Sequence, residues 1–183
     1  MNVLPVEGPH VRLRALRADD LPGFQAYRAD GDLGRYQGWR PLGDAEAAAL
    51  LAEMASAPFC TPGAWFQLAM ADIHTDALIG DIGLHLADGC GVLEIGYTLA
   101  RAHHGRSLAF EGVGLALAAV FKHLPVLRVR AITDTRNAAS VRLLQRLGFA
   151  HVTTLDALFR GVLCQEHHFE LWRPLQSRGR EVA

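Results

Sequence analysis

ARAHHGRSLAFEG, residues 100–112, carries the chain from polar, loop-like sequence into an apolar pattern of helical spacing, with Gly105 and Ser107 at the join. From Ser107 to Leu124, the positions Val113, Leu117, Val120, Phe121 and Leu124 form one stripe, and the spacing predicts a helix. A helix entered through Gly105-Arg106-Ser107 opens with backbone N–H groups that have no intrahelical partner, at the positive end of the helix dipole. Glycine allows close approach to the backbone, Ser107 can cap the helix or bond an oxygen, and Arg106 adds charge. The expectation is a phosphate site; an ordinary capped helix is the plainer reading of the same residues. The loop is not a P-loop, since GKS and GKT are absent, nor a dinucleotide fingerprint. Gly112-Val113-Gly114 lies mid-helix, where it suits a packing contact.

Outward from this helix the element types alternate. VRLRALR (11–17) alternates like a half-buried strand, and DDLPGFQAY reads as a helix opened by Asp19 or Asp20. Residues 28–43, rich in glycine and aromatics, read as a loop; Asp44 is then expected to cap AEAAALLAEMASA. AWFQLAMADI, LIGDIGLHL and VLEIGYTL are strands joined by HTDA and ADGCG, short enough for hairpins. On the far side, VLRVRAI (126–132) is a strand, residues 137–147 a helix closed by Gly148, and two last strands fall near 149–156 and 165–172. No internal repeat or dividing linker is visible.

Composition excludes several function classes. Half of the 183 residues are apolar and the formal net charge is -1, which argues against a disordered chain and against a general nucleic-acid binder. Apolar runs are short and the first residues lack a signal-peptide pattern, so the chain reads as soluble and cytoplasmic, with no membrane partner. Cys60, Cys90 and Cys164 are too few and too widely spaced for a disulfide framework or a zinc site. Charge is unevenly distributed. Eight basic residues face Glu111 and Asp134 between 100 and 148, whereas seven acids face Arg28, Arg35 and Arg40 between 19 and 53. An anionic ligand in the second half and a cationic one near the first would suit this asymmetry, as would solvated helix faces.

TDTRNAASVRLLQRLGF, residues 133–149, puts an asparagine at a strand-to-helix junction and ends in Leu-Gly-Phe. Together with EIGYTL and the loop that follows it, this combination resembles the GNAT family of N-acetyltransferases, and more closely its RimJ/RimL-type branch of ribosomal-protein N-terminal acetyltransferases. WRPLGDAEAA is similar to that branch as well. The resemblance spans nearly the whole chain in element order. It implies an α/β (α+β) fold of GNAT type, a mixed, mostly antiparallel, V-shaped sheet of about seven strands flanked by helices. It also implies one acetyltransferase domain over residues 1–175, with 176–183 a flexible tail. The pantetheine arm of acetyl-CoA would enter between the strands at 92–99 and 126–132.

Carried over position by position, the family's phosphate loop falls on His104, Ser107 and Ala109, with Gly105, Arg106 and Leu108 between them. His104 replaces the usual glutamine or arginine and Ser107 replaces a glycine. Serine would still offer its N–H at a negative φ, so altered rather than absent cofactor affinity is expected. Asn137 matches the asparagine that contacts pantetheine. Ser140 matches a serine held to protonate the departing thiolate, while the tyrosine that other members place four residues later is Leu144 here. By the same resemblance, backbone N–H groups around Tyr97 and Leu99 would receive the thioester oxygen, and Thr98 between them is a further cofactor-binding candidate.

Acyl transfer to an amine needs the amine neutral, whereas an alkyl amine with a pKa of about 10.4 is mostly protonated at neutral pH. Glu94 is the first candidate for the base, with a plain surface glutamate as the rival reading; Asp81, His85, Glu166 and His167 are lesser candidates. Trp39, Tyr36 and Phe59 are candidates to line an acceptor pocket, or else belong to the core. His103-His104 and His167-His168 offer at most one ligand each to a common site, so no metal is expected. The implied reaction is direct acetyl transfer from acetyl-CoA to a primary amine, either a protein N-terminus or a small cationic amine. A non-catalytic acyl-CoA sensor on the same fold is the alternative, and a homodimer through the last strands is possible.

Overall fold

Period-two alternation in LIGDIGLHL and VLEIGYTL gives each strand one face for either side of a sheet. The computed structural model describes residues 3–174, so the tail expected at 176–183 lies outside the described residues. In chain order the elements are β1 (Val6–Glu7), β2 (Val11–Ala15), α1 (Leu21–Arg28), α2 (Gly31–Gly34), α3 (Asp44–Ser56), β3 (Trp65–Asp72), β4 (Leu78–Leu86), β5 (Val92–Leu99), α4 (Leu108–His123), β6 (Arg128–Asp134), α5 (Ala138–Arg146), β7 (Ala150–Phe159) and β8 (Val162–Trp172). Eight strands form one sheet in the order β1-β2-β3-β4-β5-β6-β8-β7, with every neighbouring pair antiparallel except β5 and β6.

The expectation of about seven strands is one short, because β1 has two residues and shows no alternation to read. The last strands are also longer than expected. β7 and β8 form a continuous hairpin turning at Arg160 and Gly161, both at positive φ (52° and 78°). This is the geometry of a two-residue hairpin turn, which an arginine in the first position does not advertise. Residues 28–43 contain the short α2, and Gly43 rather than Asp44 is the N-cap of α3.

Helices cover both faces. Residues 93, 95 and 97 of β5 point toward α4, whose buried Val113, Ala116, Leu117 and Val120 pack on Leu68, Met70, Ile82, Leu84 and Phe169. Each fully buried valine or leucine there contributes roughly 1.5–3 kcal/mol. A Cβ on Gly112 would stand 2.6 Å from Sδ of Met70, so that glycine is the packing contact the sequence suggested. On the other face, Leu16, Phe24, Tyr27, Ala47, Leu51, Met54 and Ala69 form a second core beneath α1 and α3.

The sheet divides between β5 and β6. Their parallel register holds for Val92↔Arg128, Leu93↔Val129 and Glu94↔Arg130 and then stops, while β5 runs on to Leu99 beside β4 and β6 to Asp134 beside β8. The strands splay into the V that the resemblance implied. No helix among the described residues is long and apolar enough to cross a membrane.

Candidate active site

Three pieces of chain meet at the open end of the V: the last residues of β5, the N-terminus of α4 and the N-terminus of α5. The carbonyl of Tyr97 accepts from Nε2 of Gln37 at 3.1 Å, and that of Leu99 from Nε2 of His104 at 2.9 Å. A strand residue directs its N–H and C=O to the same side, so Tyr97 and Leu99 present their N–H groups to the gap rather than to β4. The Thr98 carbonyl faces β4, where it lies 2.3 Å from the Cβ that Gly80 lacks. Thr98 therefore meets the site through its side chain, whose Oγ1 accepts from Nε1 of Trp39 at 3.3 Å.

The loop into α4 runs through a single 3-10 turn at Arg101–His103, then His104, Gly105 at φ 76° and Ser107 at φ 58°. His104, which replaces the family's longer side chain, ties the loop to the end of β5 through that Leu99 carbonyl. Ser107 corrects the expectation of a negative φ. It adopts the left-handed conformation that favours glycine, since the chain must reverse there to enter α4, and its side chain makes no capping bond. The first intrahelical bond is from the N–H of Glu111 to the carbonyl of Ser107. The N–H groups of Leu108, Ala109 and Phe110 therefore point out of the helix beside the exposed Gly105 and Arg106, and a Cβ on Gly105 would meet nothing within 4 Å. An anion fits this cradle. Left-handed serine costs about 1 kcal/mol relative to glycine. Ser107→Gly is expected to raise Tm by about 2–4 °C and to tighten coenzyme A binding slightly, read by calorimetry and titration; unchanged Tm would mean the loop carries no strain.

Asn137 is the N-cap of α5: its Oδ1 accepts from the N–H of Ser140 at 3.2 Å, which leaves its Nδ2 as a donor toward the gap. Ser140 Oγ lies 2.8 Å from the hydroxyl of Tyr97. This bond joins residues 43 positions apart, a separation for which the sequence carries no local pattern. Burial pushes the Tyr97 phenol up to about 12, against the opposing effect of Ser140, so it stays protonated and able to donate. Leu144 is buried in the core.

The opposite face of β5 carries Glu94, Gly96 and Thr98. Glu94 sits at the closed end of the V, paired with Arg130 at 2.7 Å, and a Cβ on Gly96 would meet nothing within 4 Å. Beside this open face lies a cavity of about 480 Å³ lined by Phe24, Arg28, Trp39, Leu42, Gln67 and Arg160, among others. Trp39 thus belongs to the pocket, whereas Phe59 packs edge-on against Phe66 and lines a separate cavity of about 710 Å³ beside β1 and β2. The Tyr36 ring lies 5.9 Å from the Arg136 guanidinium.

Of the lesser base candidates, His85 and Asp81 stand on β4 opposite Glu94 and Thr98, whereas Glu166 and His167 lie on β8. Asp81 is 3% exposed and paired with Arg28, also 3% exposed, and burial pushes its carboxyl up against the pull of that arginine. His85 stacks on Trp65. Glu166 stands opposite Asp134 at the far end of β6, and His167, on the other face, bonds Thr154 at 2.8 Å. Among the described residues no group of three or more His, Cys, Asp or Glu could hold a metal ion. Cys60 is a buried thiol pushed up to about 12 by desolvation.

Residues 10–150 match the model of the acetyltransferase (GNAT) domain family. The chain is 28% identical over 138 residues to an uncharacterized N-acetyltransferase p20 of Bacillus licheniformis, covering 75% of this chain and 77% of that protein. In fold it is similar to a GNAT-family acetyltransferase from Bacillus anthracis, with a TM-score of 0.82 at 16% identity, covering 93% and 99% of the two chains. It is similar also to a spermidine N-acetyltransferase from Vibrio cholerae in complex with CoA and spermine, with a TM-score of 0.77 at 19% identity, covering 91% and 97%. Split sheet and family match agree: the chain belongs to the GNAT family of acetyltransferases, which use acetyl-CoA.

Proposed function

We propose that this protein transfers acetyl directly from acetyl-CoA to a primary amine, and that the two faces of β5 divide the work. The observation that carries this reading is the Tyr97–Ser140 hydrogen bond on one face of β5, opposite the open space over Gly96 on the other. The cradle at Gly105 to Ala109 would hold the pyrophosphate, and Nδ2 of Asn137 the pantetheine amide. Acetyl-CoA supplies the thioester: the amine lone pair forms the new C–N bond, the C–S pair leaves on sulfur, and one proton passes overall from nitrogen to sulfur.

The N–H groups of Tyr97 and Leu99 receive the developing oxyanion. Ser140 gives its proton toward sulfur, and Tyr97, donating to Oγ, keeps that proton aimed into the gap. Glu94, on the acceptor face, takes the amine proton through water. Sharing its oxygens with Arg130 limits its effect, so Glu94→Gln is expected to lower kcat/KM about tenfold near neutral pH. The defect should shrink as pH rises toward the amine's own pKa, where the acceptor is already neutral. A defect constant with pH would remove Glu94 as base.

The acceptor is a peptide N-terminus or a small amine. The sensor alternative rests on the His104 and Ser107 departures, and both have a place in the loop: one ties it to β5, and the other takes a left-handed conformation that favours glycine. Mass spectrometry of the purified protein with acetyl-CoA and a pool of peptides and small amines tests the function. Acetylated product above the no-enzyme control is expected, and none, with coenzyme A still bound, would return the sensor reading.

A further inference from the structure

The acidic bias of residues 19–53 is largely consumed within the structure. Asp20 is paired with Arg14 at 2.7 Å, Asp30 with Arg101 at 3.0 Å, Asp32 with Arg35 at 3.0 Å, and Glu46 with Arg40 at 2.5 Å. The Arg101 guanidinium holds the Asp30 carboxyl down at about 2. At the cavity beside β5, the charges of Arg28 and Arg40 are matched by Asp81 and Glu46. Arg160 is different. It reaches the cavity from the turn of the β7–β8 hairpin, and its Nη2 donates to two carbonyls, Gln37 at 3.1 Å and Trp39 at 2.5 Å. Among the described residues it has no carboxylate partner. Those two residues are the ones whose side chains bond Tyr97 and Thr98, so Arg160 stands one side chain away from the splayed part of β5. Gln67 lines the same cavity, and its buried Oε1 has no hydrogen-bond partner.

The surplus cation of Arg160 opposes a polyamine, whose second ammonium would meet it, while the unpartnered acceptor of Gln67 suits the N–H of any amine. A buried acceptor without a partner is destabilising until a donor reaches it. Resting on the transferase reading above, we infer that the acceptor is a primary amine that also carries an oxyanion, a carboxylate: Arg160 takes the carboxylate, Gln67 Oε1 takes an amine N–H, and Trp39 covers the carbon skeleton. Arg160 is then the specificity-determining residue, and it belongs to the half of the sheet opposite the acceptor face of β5. The carboxylate can belong to a free amino acid or to an acidic side chain near a peptide N-terminus, which present the same chemistry to the arginine.

The test is the ratio of kcat/KM within matched acceptor pairs, measured on the full chain with acetyl-CoA. The pairs are phenylalanine against phenylalaninamide, and an N-terminal Ala-Asp peptide against its Ala-Asn counterpart, with spermidine as a separate acceptor. At least one pair is expected to favour the carboxylate tenfold or more. That ratio should fall to near one in Arg160→Gln and return in part in Arg160→Lys. A preference in the first pair points to free amino acids, in the second to acidic N-termini. Ratios near one in both pairs, or spermidine as the best acceptor, overturn the inference while leaving the transferase reading standing. Should no acceptor be acetylated, the transferase reading fails, and calorimetric binding of each pair to the coenzyme A-loaded protein still decides the inference. Equal binding within both pairs overturns it, and a tenfold preference lost in Arg160→Gln supports it.

Discussion

Asp81→Asn is expected to destabilise the fold by about 3–5 kcal/mol and to lower Tm on the order of 10 °C. The substitution keeps the volume and removes the charge, leaving the Arg28 guanidinium, 3% exposed, with no anion inside the fold. Arg28 has little else to turn to. Its Nε is already without a partner, and its neighbours are the rings of Phe24, Tyr27 and Trp39, with centroids 4.8, 5.7 and 4.4 Å from the guanidinium carbon. Cation–π attraction, about 2 kcal/mol or more when desolvated, is already present in the native fold and does not replace a counter-ion. The double variant Arg28→Met with Asp81→Asn removes both charges and is expected to recover more than half of the loss. A calorimetric shift for Asp81→Asn smaller than about 1 kcal/mol would mean that water reaches the pair. Because Trp39 stacks on Arg28 and bonds Thr98, the single variant should also raise KM for the amine more than that for acetyl-CoA.

Ser140→Ala is expected to lower kcat about a hundredfold with coenzyme A affinity unchanged within about threefold. Positioned acids contribute about 10²–10⁴, and the lower end applies because a thiol of ordinary pKa near 8.5 leaves as thiolate with little help at neutral pH. Tyr97→Phe should cost less, about tenfold. It removes the donor that orients Oγ while the serine remains, held by the helix cap at Asn137. The two variants share one hydrogen bond, so the double variant should resemble Ser140→Ala alone. Full activity in Ser140→Ala under single-turnover conditions would assign the thiolate's proton to solvent.

Much of the fold was legible in the sequence because its long elements carry strong periodicity. The helix of α4 and the strands β4 and β5 were found within a residue or two, and Gly148, at φ 87°, ends α5 as the sequence indicated. What escaped was short or depended on contacts remote in sequence. β1 has too few residues for a pattern, and Arg160 gives no sign that it sits in a left-handed turn. The candidate site shows the same division. The loop with its glycine and the free N–H groups at the start of α4 lie within one stretch of chain and could be read there. The Arg28–Asp81 pair spans 53 positions and the Arg160 contacts more than 120, so neither had a local signature. Glu94 and Arg130, taken apart in the sequence as a candidate base and one of many basic residues, become partners only through the three-residue parallel register.

That register also bears on how long the folded chain endures. With three residue pairs joining β5 to β6, the seam between the two halves of the sheet has fewer pairs than any other except that of the two-residue β1. A molecule lying between the splayed strands and bonding both binds the native state and not the unfolded one, so it adds stability by mass action, about 2.7 kcal/mol when present at a hundred times its Kd. The abundance of the folded protein would then follow the supply of coenzyme A, rising when the thioester is plentiful and declining through unfolding and proteolysis when it is scarce.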